Sequence, residues 1–212
     1  MIVSKEAISM TLFINILLSS IIQIVLIGII PFIWWLLTKR KQENFFNWIG
    51  LKKIKKEQLK AIICRTLIVI IAFLLLSIYM IFITKDISTA TSQFDGLGLK
   101  GLISAIIYSF VQTSFTEEIF FRGFILKRVK NKFGFTIANI IQSILFALLH
   151  CAMFFTLTSI LNVILITLFT GLIALAMGYI NEKESDGSIY PSWCIHGIAN
   201  LFSSIVALFN II

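Results

Sequence analysis

About six stretches of this chain are too long and too continuously apolar to have water as their solvent. They run at roughly Ala7 to Leu37, Ala61 to Thr84, Gly101 to Leu126, Phe135 to Phe155, Thr156 to Ile180 and Ile189 to Ile212. A helix needs about 20 such residues to cross the hydrocarbon layer of a bilayer. In lipid every backbone amide and carbonyl must be satisfied within the protein, so these runs are expected as helices. The composition agrees: 58% of the residues are hydrophobic and 13% charged, against about 25% charged in soluble domains. The expected fold is all-α, a polytopic transmembrane helix bundle of about six spans, with residues 1–212 forming one integral membrane domain. The first run lacks a small-residue cleavage site and exceeds a signal peptide's apolar core, so it reads as a retained anchor, with Pro31 placed to kink it.

Basic residues set the orientation, because cytoplasmic loops hold the excess of Lys and Arg. Residues 38–60 carry Lys39, Arg40, Lys41, Lys52, Lys53, Lys55, Lys56 and Lys60, and later loops on that side add Lys127, Arg128, Lys130, Lys132 and Lys183. The other side offers Lys5, Lys85 and Lys100. This places the protein in the cell (cytoplasmic) membrane with both termini outside. The net charge of +8 then reflects orientation and anionic lipid rather than nucleic acid, for which nothing argues. Within the basic loop, Phe45, Phe46, Trp48, Ile49, Leu51 and Ile54 alternate with lysines. That pattern suits an interfacial helix on anionic lipid or an ordinary positive-inside loop.

Against this apolar background the ionisable residues within spans stand out: Arg65, Glu117, Glu118, Arg122, His150 and His196. Arg65 lies near an end and can snorkel. A charge near the bilayer centre costs at least ~2.5 kcal/mol, so the other five are expected to face the bundle interior and to serve a function. Glu118 and Arg122 are four apart with the glutamate first, the favourable order for an ion pair on one helix face. Glu117 diverges from that face by about 100° and has no partner within its own helix. A carboxylate buried without a partner gains proton affinity, which prepares a general base. His196 and Asn200 share a face of the last helix, as Phe146 and His150 share one of the fourth.

Cys64, Cys151 and Cys194 fall within spans without C-x-x-C spacing and read as small buried apolar residues. A thiol enzyme is disfavoured, since Cys151 and Cys194 diverge from their neighbouring histidines on the helix. A serine mechanism lacks G-x-S-x-G. Asp86, Asp95 and Asp186 lie in loops, which removes an intramembrane aspartyl pair.

In chain order the polar positions form TEEIFFR (Thr116 to Arg122), FALLH (Phe146 to His150) and HGIAN (His196 to Asn200), the last approached through SIYPSWCIH with Pro191 opening the helix. The series E-E-x-x-x-R, F-x-x-x-H, H-x-x-x-N resembles that of the CPBP intramembrane proteases, which include CAAX prenyl endopeptidases and enzymes linked to bacteriocin processing and self-immunity. The resemblance covers roughly residues 101–204, leaving 1–100 as more variable N-terminal spans and the basic loop. It implies an intramembrane endopeptidase in which Glu117 and His150 activate water while His196 and Asn200 stabilise the oxyanion. Glu118, Arg122 and Phe146 would be supporting residues. The implied substrate is a membrane peptide or lipidated protein. No cofactor is expected under this mechanism. The alternative within the same chemistry is zinc held by Glu117, His150 and His196, although no H-E-x-x-H is present. Two non-enzymatic readings also stand: an immunity or scaffold protein that binds a peptide, and a proton-coupled carrier, since intramembrane Glu and His also build proton relays.

Straight-helix arithmetic places Glu117 about 13 Å and His150 about 20 Å from the cytoplasmic boundary. A buried polar chamber opening towards the cytoplasm or sideways into lipid is therefore expected, because hydrolysis needs water.

Overall fold

A computed structural model describes residues 5–84 and 87–211; Lys85 and Asp86, assigned above to the external loop, lie outside the described residues, as does Ile212, the last residue of the sixth run. Among the described residues the fold is all-helical, a membrane bundle without strands. The long elements are α1 (Lys5–Thr38), α3 (Lys56–Thr84), α7 (Phe135–Phe154), α8 (Ile160–Tyr179) and α9 (Tyr190–Phe209). Among the described residues these account for five helices long and apolar enough to cross a membrane. The third apolar run is continuous helix but not regular α-helix. It passes through α4 (Leu102–Ile107), π-helical Tyr108–Phe115, α5 (Thr116–Glu118), π-helical Ile119–Leu126 and α6 (Lys127–Phe133). Pro31 sits inside α1 without ending it.

Hydrogen bonds sort the chain into two ends. At one end Ser9 Oγ donates to the Lys100 carbonyl at 2.6 Å and the Gly96 amide donates to the Ala207 carbonyl at 3.1 Å. At the other, Ile189 donates to the carbonyl of Gly50 at 2.9 Å and Ser188 Oγ to that of Lys52 at 2.8 Å. Arg65 pairs with Glu184 at this basic end.

Outward-facing Leu, Ile and Phe residues of α1 and α3, such as Leu26 and Leu75, are exposed, as surfaces in contact with lipid tails should be. Cys64 and Cys194 share this outward exposure and Cys151 is half-buried, so the expectation that the cysteines are buried is corrected: their helix faces turn to lipid, where a small thiol needs no packing partner. α7 and α8 form a hairpin whose turn is capped by Ser159, which accepts from the Asn162 amide at 3.3 Å. The pair is tied by side-chain amides: Asn139 Nδ2 donates to the Leu175 carbonyl and Gln142 Nε2 to that of Ala174, both at 3.0 Å. Where apolar surface gains nothing by leaving lipid, such bonds and close backbone approach hold helices together.

The basic loop contains a short helix, α2 (Phe45–Ile49), capped by Asn44, whose side chain accepts from the Phe46 amide, and ended by Gly50 at φ 96°. It does not lie on the bilayer as a free interfacial helix. Trp48 and Ile49 are buried against Ile119 and Ile189, and the Arg128 guanidinium stacks on the Trp48 ring at 3.7 Å. Burial brings the Arg128 guanidinium down to about 10, with Glu43 and Glu182 opposing. Beside it Lys127 Nζ donates to Glu182 Oε1 and to the Gly187 carbonyl, both at 2.7 Å; burial pushes this ammonium below the usual lysine range, with Glu182 opposing. The loop thus clamps the motif-bearing helix to the turn that leads into α9.

Candidate active site

Hydroxyl side chains set the local shape of the motif helix. Thr113 Oγ1 donates to the Tyr108 carbonyl at 3.0 Å and Ser114 Oγ to the Ser109 carbonyl at 2.6 Å, each spanning five residues. Thr116 Oγ1 donates to the Gln112 carbonyl at 2.7 Å. Such bonds compete with the regular ladder. Wide π turns are rare and recur at functional sites.

The expected ion pair is present. Arg122 Nη1 donates to Glu118 Oε1 at 2.9 Å and both side chains are wholly buried. The same Glu118 oxygen lies 3.1 Å from Nδ1 of His196, so α9 is joined to the motif helix through one carboxylate. On the other side of the ring, His196 Nε2 stands 3.8 Å from Glu117 Oε2. That glutamate oxygen is buried and takes no hydrogen bond among the described residues. Both glutamates therefore reach the same imidazole, one by a hydrogen bond and one from just beyond hydrogen-bond distance.

Phe146 is the packing hub of the cluster. The Arg122 guanidinium lies over its ring at 4.4 Å. Its centroid is 4.6 Å from that of His150, 5.2 Å from Phe121 and 5.7 Å from His196. His150 Nδ1 is 3.0 Å from the Phe146 carbonyl. A carbonyl can only accept, so Nδ1 carries a proton and Nε2 is the free acceptor of the neutral ring. Asn200 Nδ2 donates to Thr113 Oγ1 at 2.8 Å and to Ser114 Oγ at 3.1 Å, so the π turn also fixes the carboxamide of α9. Sequence spacing missed these two hydroxyls, and it missed the Gln23 Nε2 donation from α1 to Thr116 Oγ1 at 3.3 Å. Neither involves an ionisable group that would mark it out in a span.

The residues named for zinc do not fit a metal site. Among the described residues no group of three His, Cys, Asp or Glu side chains is placed to hold an ion.

Two cavities flank the cluster. A groove of about 350 Å³ lies between α1, α2 and the motif helix, and apart from Thr116 its walls are apolar residues such as Ile24, Phe32, Phe45, Phe115 and Ile119. A cleft of about 450 Å³ lies between α3, α7, α8 and α9, with His150 and Asn200 among its lining residues. It extends to Thr89, Ser92 and Asp95, at the end of the bundle away from the basic loops. Of the two openings expected, towards the cytoplasm or sideways into lipid, this cleft does not run to the basic end taken as cytoplasmic. His150 stands four residues before the end of α7 at Phe154, and so belongs to the far half of the bundle.

No curated protein and no solved structure matches the chain. A family model does match, over residues 99–202, just under half of the chain, and this segment contains every residue of the buried cluster. This segment, which carries Glu117, His150, His196 and Asn200, is similar to the family described as type II CAAX prenyl endopeptidase Rce1-like.

Proposed function

We propose that this protein is an intramembrane endopeptidase that hydrolyses a peptide bond in a lipid-bearing or membrane-embedded substrate, using a glutamate and a histidine to activate water. The observation that carries the reading is Glu117 Oε2, a buried carboxylate oxygen without a hydrogen-bond donor among the described residues, 3.8 Å from His196 Nε2. Such an oxygen is where a reacting water would be held. In the proposed step the water oxygen bonds to the substrate carbonyl carbon as its proton passes to Glu117 or to His150 Nε2. Collapse of the tetrahedral intermediate then breaks the C–N bond, and that proton goes to the leaving amine.

His196 would serve as an oxyanion donor through Nε2, with Nδ1 held by Glu118 Oε1 at 3.1 Å. Asn200 would assist, exchanging a Thr113 or Ser114 hydroxyl for the developing charge. Glu118, Arg122 and Phe146 hold this arrangement without touching substrate.

The apolar groove beside Thr116 is of the right chemistry for an acyl or prenyl chain on the substrate. This reading takes that end of the bundle as the cytoplasmic side, since cytoplasmic loops carry the excess of Lys and Arg. Mass spectrometry of membrane peptides from cells carrying the intact protein and cells carrying Glu117→Ala tests the function. Fragments that depend on Glu117 are expected, and identical peptide sets would overturn it. A binding or carrier protein would generate no such fragments.

A further inference from the structure

We infer that the cleft between α3, α7, α8 and α9 is the path by which water reaches His150, entered from the end of the bundle opposite the basic loops. The inference rests on the hydrolytic reading above, because only a hydrolase must resupply one water per turnover to a site enclosed by lipid-facing helices.

Within the cluster Glu118 and Arg122 are wholly buried and His196 is 5% exposed, while the Glu117 side chain keeps 21% exposure. Of the two cavities beside the cluster, the apolar groove offers a water little but the Thr116 hydroxyl, which donates to the Gln112 carbonyl and also accepts from Gln23 Nε2. An ordered water needs two to four polar partners, so that groove is expected to stay dry or to hold hydrocarbon. The cleft is different. Thr89, Ser92 and Asp95 line its outer end, and Ser203, Thr170, His150 and Asn200 line it deeper in the bundle. Ser203 Oγ donates to the Ala199 carbonyl at 3.4 Å, which leaves its lone pairs open to the cleft's contents. A volume of about 450 Å³ has room for on the order of ten waters. The chain of hydroxyls and amides ends at the histidine whose Nδ1 is committed to the Phe146 carbonyl, leaving Nε2 to accept a proton from water.

The division also fits the chemistry of the two reactants. An apolar substrate segment and a water molecule would approach the scissile bond from opposite ends of the bundle, so neither has to displace the other.

Two measurements test this. In the first, Ser203→Phe narrows the cleft, and hydrolysis is followed in nanodiscs with a quenched peptide built on a Glu117-dependent cleavage site. The expected result is a fall in kcat of at least about tenfold with KM little changed. An unchanged kcat overturns the proposal, and a rise in KM alone would assign the cleft to substrate instead. The second is independent of activity and uses Ser203→Cys in a chain with Cys64, Cys151 and Cys194 replaced by serine. A membrane-impermeant methanethiosulfonate should modify Ser203→Cys from the side that modifies Thr91→Cys, not from the side that modifies Lys53→Cys. No modification, or modification only from the Lys53 side, overturns it. Failure of the hydrolytic reading itself would show separately, as cleavage by the Glu117→Ala chain at the parent rate.

Discussion

Nδ1 of His196 stands 3.1 Å from Oε1 of Glu118, the same oxygen that receives Arg122 Nη1 at 2.9 Å. One buried carboxylate therefore joins two helices and neutralises a guanidinium that has no other ion-pair partner among the described residues. Replacing Glu118 by Gln strands Arg122 in a wholly buried position, and breaking a buried pair in this way typically costs about 3–5 kcal/mol. Unfolding in mild detergent should show a loss of that order for Glu118→Gln. Most of it should return in Glu118→Gln/Arg122→Met, where no buried charge is left unpaired, while cleavage stays absent.

Glu117 presents the opposite case. Its Oε2 makes no hydrogen bond among the described residues, so Glu117→Gln keeps the shape of the side chain and should change stability by less than about 1 kcal/mol. The rate should nonetheless fall by about 10²- to 10⁴-fold, the usual contribution of a general base. Unfolding curves and single-turnover rates measured on one preparation check both halves.

Asn200 should matter to turnover although it never ionises. Asn200→Ala is expected to lower kcat by about 10²- to 10³-fold with a small effect on KM, as loss of an oxyanion donor does. Thr113→Val removes one of the two hydroxyls that hold the carboxamide, leaves Ser114 in place, and should give a smaller loss of about tenfold or less.

The clamp formed by α2 is tested at Gly123. A Cβ there would stand 2.6 Å from the Ile49 carbonyl oxygen, a backbone atom that cannot swing aside. Gly123→Ala should destabilise by about 1–3 kcal/mol. Gly28→Ala provides the contrast: nothing lies within 4 Å of that position, and a helix interior gains up to about 1 kcal/mol when Gly becomes Ala. Thermal unfolding of the two variants should move in opposite directions.

Much of the site could be read from the sequence because lipid makes polar residues conspicuous. The Glu118–Arg122 pair follows from spacing alone, and the separate facing of Glu117 follows from helix geometry. That both glutamates meet His196 does not, since helical periodicity says nothing about a third partner on another helix. The depth arithmetic placed His150 far from the basic loops, which is where it lies. An opening towards the basic side or sideways into lipid was expected, and the cleft beside His150 runs to the other end of the bundle. The irregular third span was also hidden, because the hydroxyl-to-carbonyl bonds of Thr113 and Ser114 that accompany its π turns leave no mark on hydropathy. Trp48 and Ile49 looked like lipid-facing residues of an interfacial helix, and their burial depends on partners at Ile119 and Ile189 that lie far away in sequence.

The most direct test of the central claim is cleavage by the purified protein in liposomes of a peptide identified through its dependence on Glu117 in cells. The parent chain should cut that peptide at one bond, and Glu117→Gln, folded to the same stability, should cut it at least about a hundredfold more slowly. Equal rates for the two chains would contradict the account.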